Sequence, residues 1–342
     1  MTFKRIQKLI EPEQIKEELP LSDNAVKIKA EHDNAIRSIF SGDSDKFLLI
    51  VGPCSAHNFD AVYEYVSRLA KLHDKVKDKV IIVPRIYTNK PRTTGAGYKG
   101  MAHQPDPTEA PDIAQGLKAI RSMHIKVIED FGFSTADEML YPENFSYLSD
   151  VLGYVAVGAR SVENQQHRLT ISGIDMPAGM KNPTSGDITV MLNSIQAAQM
   201  KHSFLYRGWE VETEGNEYAH GVLRGAVNKH GENIPNYHYE DLMLLNDAYM
   251  ERQLLNASVI VDTNHANSGK RFYEQPRIAM EVMQSRKRAD RLKKLVKGLM
   301  IESYLVEGTQ SVDGTTFGQS ITDACLGWED TEKLILRIAD ET

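Results

Sequence analysis

From Phe47 onward, short apolar runs alternate with longer amphipathic stretches eight times over. That alternation restricts the chain to a parallel sheet wrapped in helices. The runs are FLLIVGP (47–53), VIIVPRIY (80–87), IKVIEDF (125–131), GYVAVGAR (153–160), MPAGMK (176–181), AHGVLRG (219–225), SVIVDTN (258–264) and GLMIES (298–303). Helical periodicity fills the intervals around 59–72, 111–123, 188–200, 239–255 and 276–291, with a last helix after Glu329. Strands that read as near-continuous apolar runs are buried on both faces. Eight of them, each followed by a helix, predict an α/β fold of the (β/α)8 TIM-barrel type over an open doubly wound sheet. Residues 1–45 carry two further helical patterns, the second opening at Ser22, and predict an N-terminal helical extension ahead of a barrel spanning 46–342. FLYRGWEVET (204–213) alternates apolar with polar around Gly208, outside the eight-strand count, and predicts an inserted β-hairpin at about 203–217.

Composition narrows the function. With 342 residues, 41% hydrophobic and 25% charged, the chain can bury a full core, which excludes a disordered protein. Its 47 acidic and 40 basic residues give a net charge of -7 with no block of like charge, which argues against a nonspecific nucleic-acid surface. No run of about 18 apolar residues occurs, so no membrane span is expected, and the N-terminal stretch lacks the apolar centre of a signal peptide. Two cysteines, Cys54 and Cys325, are too few for a disulfide framework and suit a reducing, cytoplasmic setting. The glycosylation patterns at Asn144 and Asn256 are then chance matches.

In such a barrel the chemistry sits where the strands end. The residues closing the eight runs are Cys54, Arg85, Glu129 with Asp130, Arg160, Lys181, Arg224, Asp262 with His265, and Glu302. A single charge at a strand end is ordinarily a solvated one. Four converging cations, joined by Lys90, Arg92 and Lys99 from the loop after the second strand, repel one another unless an anion neutralises them. A phosphorylated substrate supplies that anion. A second set, Cys54, His265, Glu302 and Asp323, belongs to no local metal motif. Each member has a structural alternative: a buried thiol acting as a small hydrophobe, a core histidine, a helix-capping aspartate. Barrel closure would nonetheless bring strands one, seven and eight side by side. A thiol, an imidazole and two carboxylates there suit one divalent metal ion such as Mn, Fe, Co or Zn better than Mg. Gly95, Gly97 and Gly100 fit G-x-G-x-x-G, yet no tight strand-to-helix turn surrounds them, so a dinucleotide site is not expected.

The motifs VGPCSAH (51–57), RIYTNKPRTTGAGYKG (85–100), GARSVENQQHR (158–168), GMKNPTSGD (179–187), LRG (223–225), DTNHANSGK (262–270), ESYLVEGTQ (302–310) and QSITDACLGWEDT (319–331) lie in order along nearly the whole chain. Together they resemble the 3-deoxy-D-arabino-heptulosonate 7-phosphate synthases, class I, of the type regulated by aromatic amino acids. The resemblance implies condensation of phosphoenolpyruvate with D-erythrose 4-phosphate and water, releasing phosphate, as the first step of the shikimate pathway. It implies metal ligation by Cys54, His265, Glu302 and Asp323, and a phosphoenolpyruvate site at Arg85, Lys90, Gly158, Ala159, Arg160, Lys181 and Arg224. It places erythrose 4-phosphate on Lys90, Pro91, Arg92, Thr93 and Asp323. Catalysis is expected from the metal with Cys54 and His265 and from Lys90 as the proton-transfer group, in a homodimer or homotetramer.

Three departures concern regulation. The N-terminal arm starts late, Asp175 stands where feedback-sensitive relatives carry a small serine, and the strand motif continues KNPTSG rather than KNGTDG. Weak, altered or absent inhibition by phenylalanine and tyrosine is therefore expected. Cys325, two residues beyond Asp323, forms a possible redox pair with Cys54. Alternative readings are 3-deoxy-D-manno-octulosonate 8-phosphate synthase, which the KPRT stretch disfavours, and a non-catalytic regulatory barrel, which the retained cations and ligand candidates disfavour.

Overall fold

A computed structural model describes residues 2–92 and 94–342. Eight parallel strands form one sheet: β1 (Phe47–Gly52), β2 (Val80–Pro84), β3 (Thr135–Glu138), β4 (Leu152–Val157), β5 (Ala178–Lys181), β6 (Ala219–Leu223), β7 (Val259–Asp262) and β8 (Val296–Glu302). The hydrogen-bonded order is β2-β1-β8-β7-β6-β5-β4-β3. A parallel bridge from Arg85 to Ala136, with Ile86 N–H donating to Ala136 O at 2.9 Å, joins the two ends and closes the barrel.

The strands are rich in Val, Ile and Leu because both faces are covered. Along β1, Leu48 and Ile50 point into the barrel with Ile81, Val83, Tyr154, Val222, Ile260 and Met300, while Phe47, Leu49 and Val51 pack against the surrounding helices. Two helices precede the barrel, α1 (Pro12–Glu18) and α2 (Asp23–Ser41). Ser22 caps α2 by accepting from Ala25 N–H at 3.2 Å, and Gly42 ends it in the left-handed region at φ 86°. The last turns of α2 carry Ile36, Ile39 and Phe40 into the interior layer of the barrel, so this helix plugs the end where the strands begin. The expected hairpin runs His202–Tyr206 and Trp209–Thr213, inserted ahead of β6.

One expected strand is wrong. IKVIEDF is the last third of a continuous helix, Ile113–Phe131, capped by Gly132 at φ 74°. Apolar residues at 120, 123, 127, 128 and 131 follow the helical period, and the run was too short to distinguish the two readings. The true third strand, TADE, is polar yet fully buried. Its side chains are satisfied internally: Thr135 Oγ1 lies 2.7 Å from His124 Nδ1, and Asp137 Oδ1 accepts from Thr88 N–H at 2.8 Å. Glu129 and Asp130 are consequently removed from the strand ends. They sit on an exposed helix face, where Asp130 pairs with Lys126 at 2.7 Å.

Two buried histidines give the fold a pH dependence. His32 on α2 accepts from Ser134 N–H at 3.0 Å, and burial pushes its pKa from 6.5 down to about 3. Burial pushes that of His220, which lies 2.8 Å from the Tyr154 hydroxyl, down to about 4. The unfolded chain takes up protons below pH 6.5 that the native histidines refuse. Stability from this source is thus full above pH 6.5 and is lost as pH falls toward those lower values, by roughly 1.4 kcal/mol per unit and histidine. The thermal midpoint should drop between pH 7 and about 4.5, and His32→Gln should flatten that slope; an unchanged slope in the variant contradicts the assignment.

Candidate active site

The carboxyl ends of the strands and the loops beyond them surround a cavity of about 470 Å³. Its wall carries Arg85, Lys90, Arg92, Arg160, Lys181, Arg224 and Lys270 against only two carboxylates, Glu138 and Asp323. Gly158, Ala159 and Pro91 line it too. Thr93 lies outside the described residues.

Residues just beyond β1 and at the end of β8 build the deepest part. Arg85 follows β2 and is 2% exposed; its Nη2 donates to Glu302 Oε1 at 2.9 Å, while Nη1 donates to Pro53 O. The guanidinium lies over the Tyr87 ring, 3.7 Å from its centroid. Burial works against the charge on Glu302, but His265, Arg85 and Lys90 outweigh it and hold its pKa low. Asn264 Nδ2 donates to the other oxygen, Glu302 Oε2, at 2.6 Å.

Cys54, Glu302 and Asp323 each offer a ligand atom, all within 4.8 Å of one another. Cys54 Sγ is 3.5 Å from Asp323 Oδ2, and Lys90 Nζ stands 2.6 Å from that sulfur and 3.1 Å from the same carboxylate oxygen. Burial, with the Glu302 charge next, pushes the Cys54 thiol up to about 11. Asp323 is driven the other way: burial opposes its charge, and Lys90, Lys270 and His265 more than offset that. Its loop is fixed by paired backbone bonds between Cys325 and Gly308, at 2.9 and 3.1 Å.

His265 sits outside the tight trio. Its Nε2 is 4.0 Å from Glu302 Oε1, and its Nδ1 is 2.8 Å from Asp262 Oδ2. The residue is left-handed, at φ 51°, with its carbonyl accepting from Lys270 N–H at 2.8 Å. A carboxylate behind one ring nitrogen leaves the other facing the cluster, the arrangement that orients metal-binding histidines. The donor chemistry therefore fits a divalent transition ion. Cys54 and Cys325 are both free and buried, with Cys54 N–H 3.4 Å from Cys325 Sγ.

On the opposite wall the cations lack full complements of partners. Arg224 Nη1 and Arg85 Nε are buried without a hydrogen bond. Burial lowers the Arg224 pKa, with the nearby Arg160 charge adding to the effect and Asp262 opposing it. Lys181 Nζ is 3.7 Å from Glu138 Oε2 and 3.8 Å from Asp262 Oδ2. Guanidinium and ammonium groups gathered along one cavity wall are a receptor for phosphate or carboxylate oxygens. A Cβ on Gly158 would meet Glu138 Oε1 at 2.5 Å, so a larger residue there would displace the Glu138 carboxylate. Glu138 and Lys270 were missed by sequence reasoning: Glu138 because β3 was misplaced, and Lys270 because it lies eight residues past its strand. The glycine-rich stretch 95–100 opens no helix, and the next helix begins only at Ile113.

This barrel with a cationic mouth and a Cys–Glu–Asp cluster has known counterparts. The profile of the DAHP synthetase I family matches residues 19–336. The chain belongs to that family. It is 37% identical over 348 residues to the Phe-sensitive phospho-2-dehydro-3-deoxyheptonate aldolase of Escherichia coli strain K12, across 99% of this chain and 96% of that protein. It is 34% identical over 343 residues to the Trp-sensitive enzyme of the same strain, across 98% of this chain and 95% of that protein. The solved phospho-2-dehydro-3-deoxyheptonate aldolase of Francisella tularensis superposes with a TM-score of 0.92 at 30% identity, covering 99% of this chain and 98% of that one. No helix among the described residues is long and apolar enough to cross a membrane.

Proposed function

We propose that this chain condenses phosphoenolpyruvate with erythrose 4-phosphate and water to give 3-deoxy-D-arabino-heptulosonate 7-phosphate and phosphate. The observation that carries the reading is the mouth itself: seven cations, two with unpartnered buried donors, beside a thiol and carboxylate cluster. Residues 46–342 would form the catalytic barrel and 1–45 an extension. The exposed Phe3, Ile6, Leu205 and Trp209 support a homodimer or homotetramer, which sedimentation distinguishes from a single chain.

Arg85, Arg160, Lys181 and Arg224, with the Gly158 and Ala159 backbone, would hold the phosphate and carboxylate of phosphoenolpyruvate. Lys90, Pro91 and Arg92 would hold erythrose 4-phosphate, with Arg92 aimed by its Nε bond to Tyr98 O at 2.7 Å. Cys54, His265, Glu302 and Asp323 would hold a divalent ion, which when bound would supply a Lewis acid for the aldehyde oxygen. Holding both anions in register converts a bimolecular step into an effectively unimolecular one, a contribution of about 7 kcal/mol or more in well-oriented systems. The C3 carbon of the enol phosphate bonds to the aldehyde carbon, and the Lys90 ammonium donates its proton to the aldehyde oxygen. Water adds at C2 and gives one proton back to the Lys90 amine; the C2–O bond to phosphate then breaks as the new C2 hydroxyl passes its proton to the departing phosphate and becomes the keto group.

Phosphate release from phosphoenolpyruvate should depend on erythrose 4-phosphate and not proceed comparably with arabinose 5-phosphate. Equal or faster turnover of the five-carbon sugar would make this an octulosonate synthase, and no release with either would leave a non-catalytic barrel.

A separate cavity of about 750 Å³ lies under the hairpin, where Asp175, Glu212, Glu214 and Glu217 face Arg37. Arg37 Nη1 already binds Asp175, donating to its backbone oxygen at 3.0 Å, so that cation is engaged. We infer weak or altered inhibition by phenylalanine or tyrosine, since the carboxylate of either would have to compete with Asp175 for Arg37 and only its ammonium finds open partners among the acidic groups. An inhibition constant in the low micromolar range for either refutes this.

A further inference from the structure

The opposite end of the barrel carries a second cationic cavity, about 470 Å³, that the reaction does not use. It lies beside the plugged end, between the C-terminus of α2, the segments leading into β1 and β7, the helix Gln275–Arg288, the short helix Asp290–Leu295 and the start of β8. Five cations line it, Lys46, Arg286, Lys293, Lys294 and Lys297, against Asp45 and Asp290.

Arg286 is the informative one. It is 7% exposed, its Nε has no hydrogen-bond partner, and its guanidinium rests on the Phe47 ring, 4.4 Å from the centroid. Among the described residues, Arg286, Lys293, Lys294 and Lys297 make no ion pair within 4.0 Å, although two carboxylates share the cavity. Burial brings Arg286 down to about 10, and burial together with Arg286 lowers Lys297. A half-open cavity that gathers unpaired cations, one of them desolvated, stores repulsion that a dianion relieves. The ring behind Arg286 fixes the plane of its fork, and Arg forks pair with phosphate oxygens bidentately.

We propose that this cavity is a second anion site, specific for a phosphate group, with Arg286 as its buried anchor and Lys293, Lys294 and Lys297 as its rim. The volume matches that of the mouth cavity, so it accommodates a phosphate monoester as well as free phosphate.

The test is thermal denaturation of the full chain in chloride, inorganic phosphate or glycerol 3-phosphate at matched ionic strength. Wild type is compared with Arg286→Gln and with the rim variant Lys293→Gln/Lys294→Gln/Lys297→Gln. Saturating anion should raise the wild-type midpoint by about 2–4 °C over chloride. The rise should be clearly smaller in both variants, the remainder reporting anion held at the intact mouth, while their phosphate release from the two substrates in chloride stays at the wild-type rate. In chloride the rim variant should melt no lower than wild type, because repulsion has been removed. The phosphate source giving the larger rise identifies the ligand form. An equal rise in wild type and variants assigns all binding to the mouth and overturns the proposal, as does no rise with either anion. If Arg286→Gln does not fold, the rim variant alone decides.

Discussion

A Cys54→Ala chain is expected to fold normally and to release phosphate at roughly a thousandth of the wild-type rate, the loss that follows from removing several kcal/mol of Lewis-acid stabilisation. The side chain is small and buried, and its sulfur has Lys90 and Asp323 as side-chain partners among the described residues, so truncation removes a soft donor without opening a large void. Glu302 and Asp323 remain, and two hard oxygens with His265 hold a transition ion less tightly than the set with a thiolate. Metal content per chain, read by elemental analysis after dialysis, should fall with the rate while the thermal midpoint moves little. Full metal content and full turnover would remove Cys54 from the site.

Arg85→Met should have the largest effect on stability. Arg85 and Glu302 are 2% and 1% exposed, and the guanidinium is the cation that directly contacts that carboxylate. Taking away one partner of a buried pair leaves the other charge uncompensated and typically costs about 3–5 kcal/mol. Asn264 still donates to Glu302, which tempers the loss but does not supply charge. Denaturant unfolding measures it. Adding Glu302→Gln should return much of the stability, since the orphaned charge is gone, while activity stays absent because a proposed metal ligand has been lost. A single variant as stable as wild type would show that the pair contributes nothing.

Seven of the eight strands were legible because burial on both faces writes an apolar run into the sequence. The eighth, TADE, was not, for a reason tied to the site. β3 brings Glu138 to the mouth beside Lys181 and buries Asp137 against Thr88, so the strand is built from groups whose partners lie inside the fold. Its signal was the glycine at 132 ending the preceding helix, rather than any hydrophobic period. Arg85, Arg160, Lys181 and Arg224 were legible individually, since each closes a strand run. Their pairing was not: that Arg85 faces Glu302 and Lys181 lies between Glu138 and Asp262 depends on barrel closure between residues far apart in sequence. The plug was hidden for a similar reason. The period of α2 reveals an amphipathic helix, and only the closed sheet shows that Ile36, Ile39 and Phe40 fill its open end.

The central claim is that a metal held at this mouth drives the condensation, and a chelation and back-titration assay addresses it. Protein stripped with EDTA and freed of chelator should release no phosphate from phosphoenolpyruvate and erythrose 4-phosphate. Adding Mn, Fe, Co or Zn should restore release linearly up to one ion per chain, with no further gain beyond it. Undiminished phosphate release from the stripped protein would contradict the account.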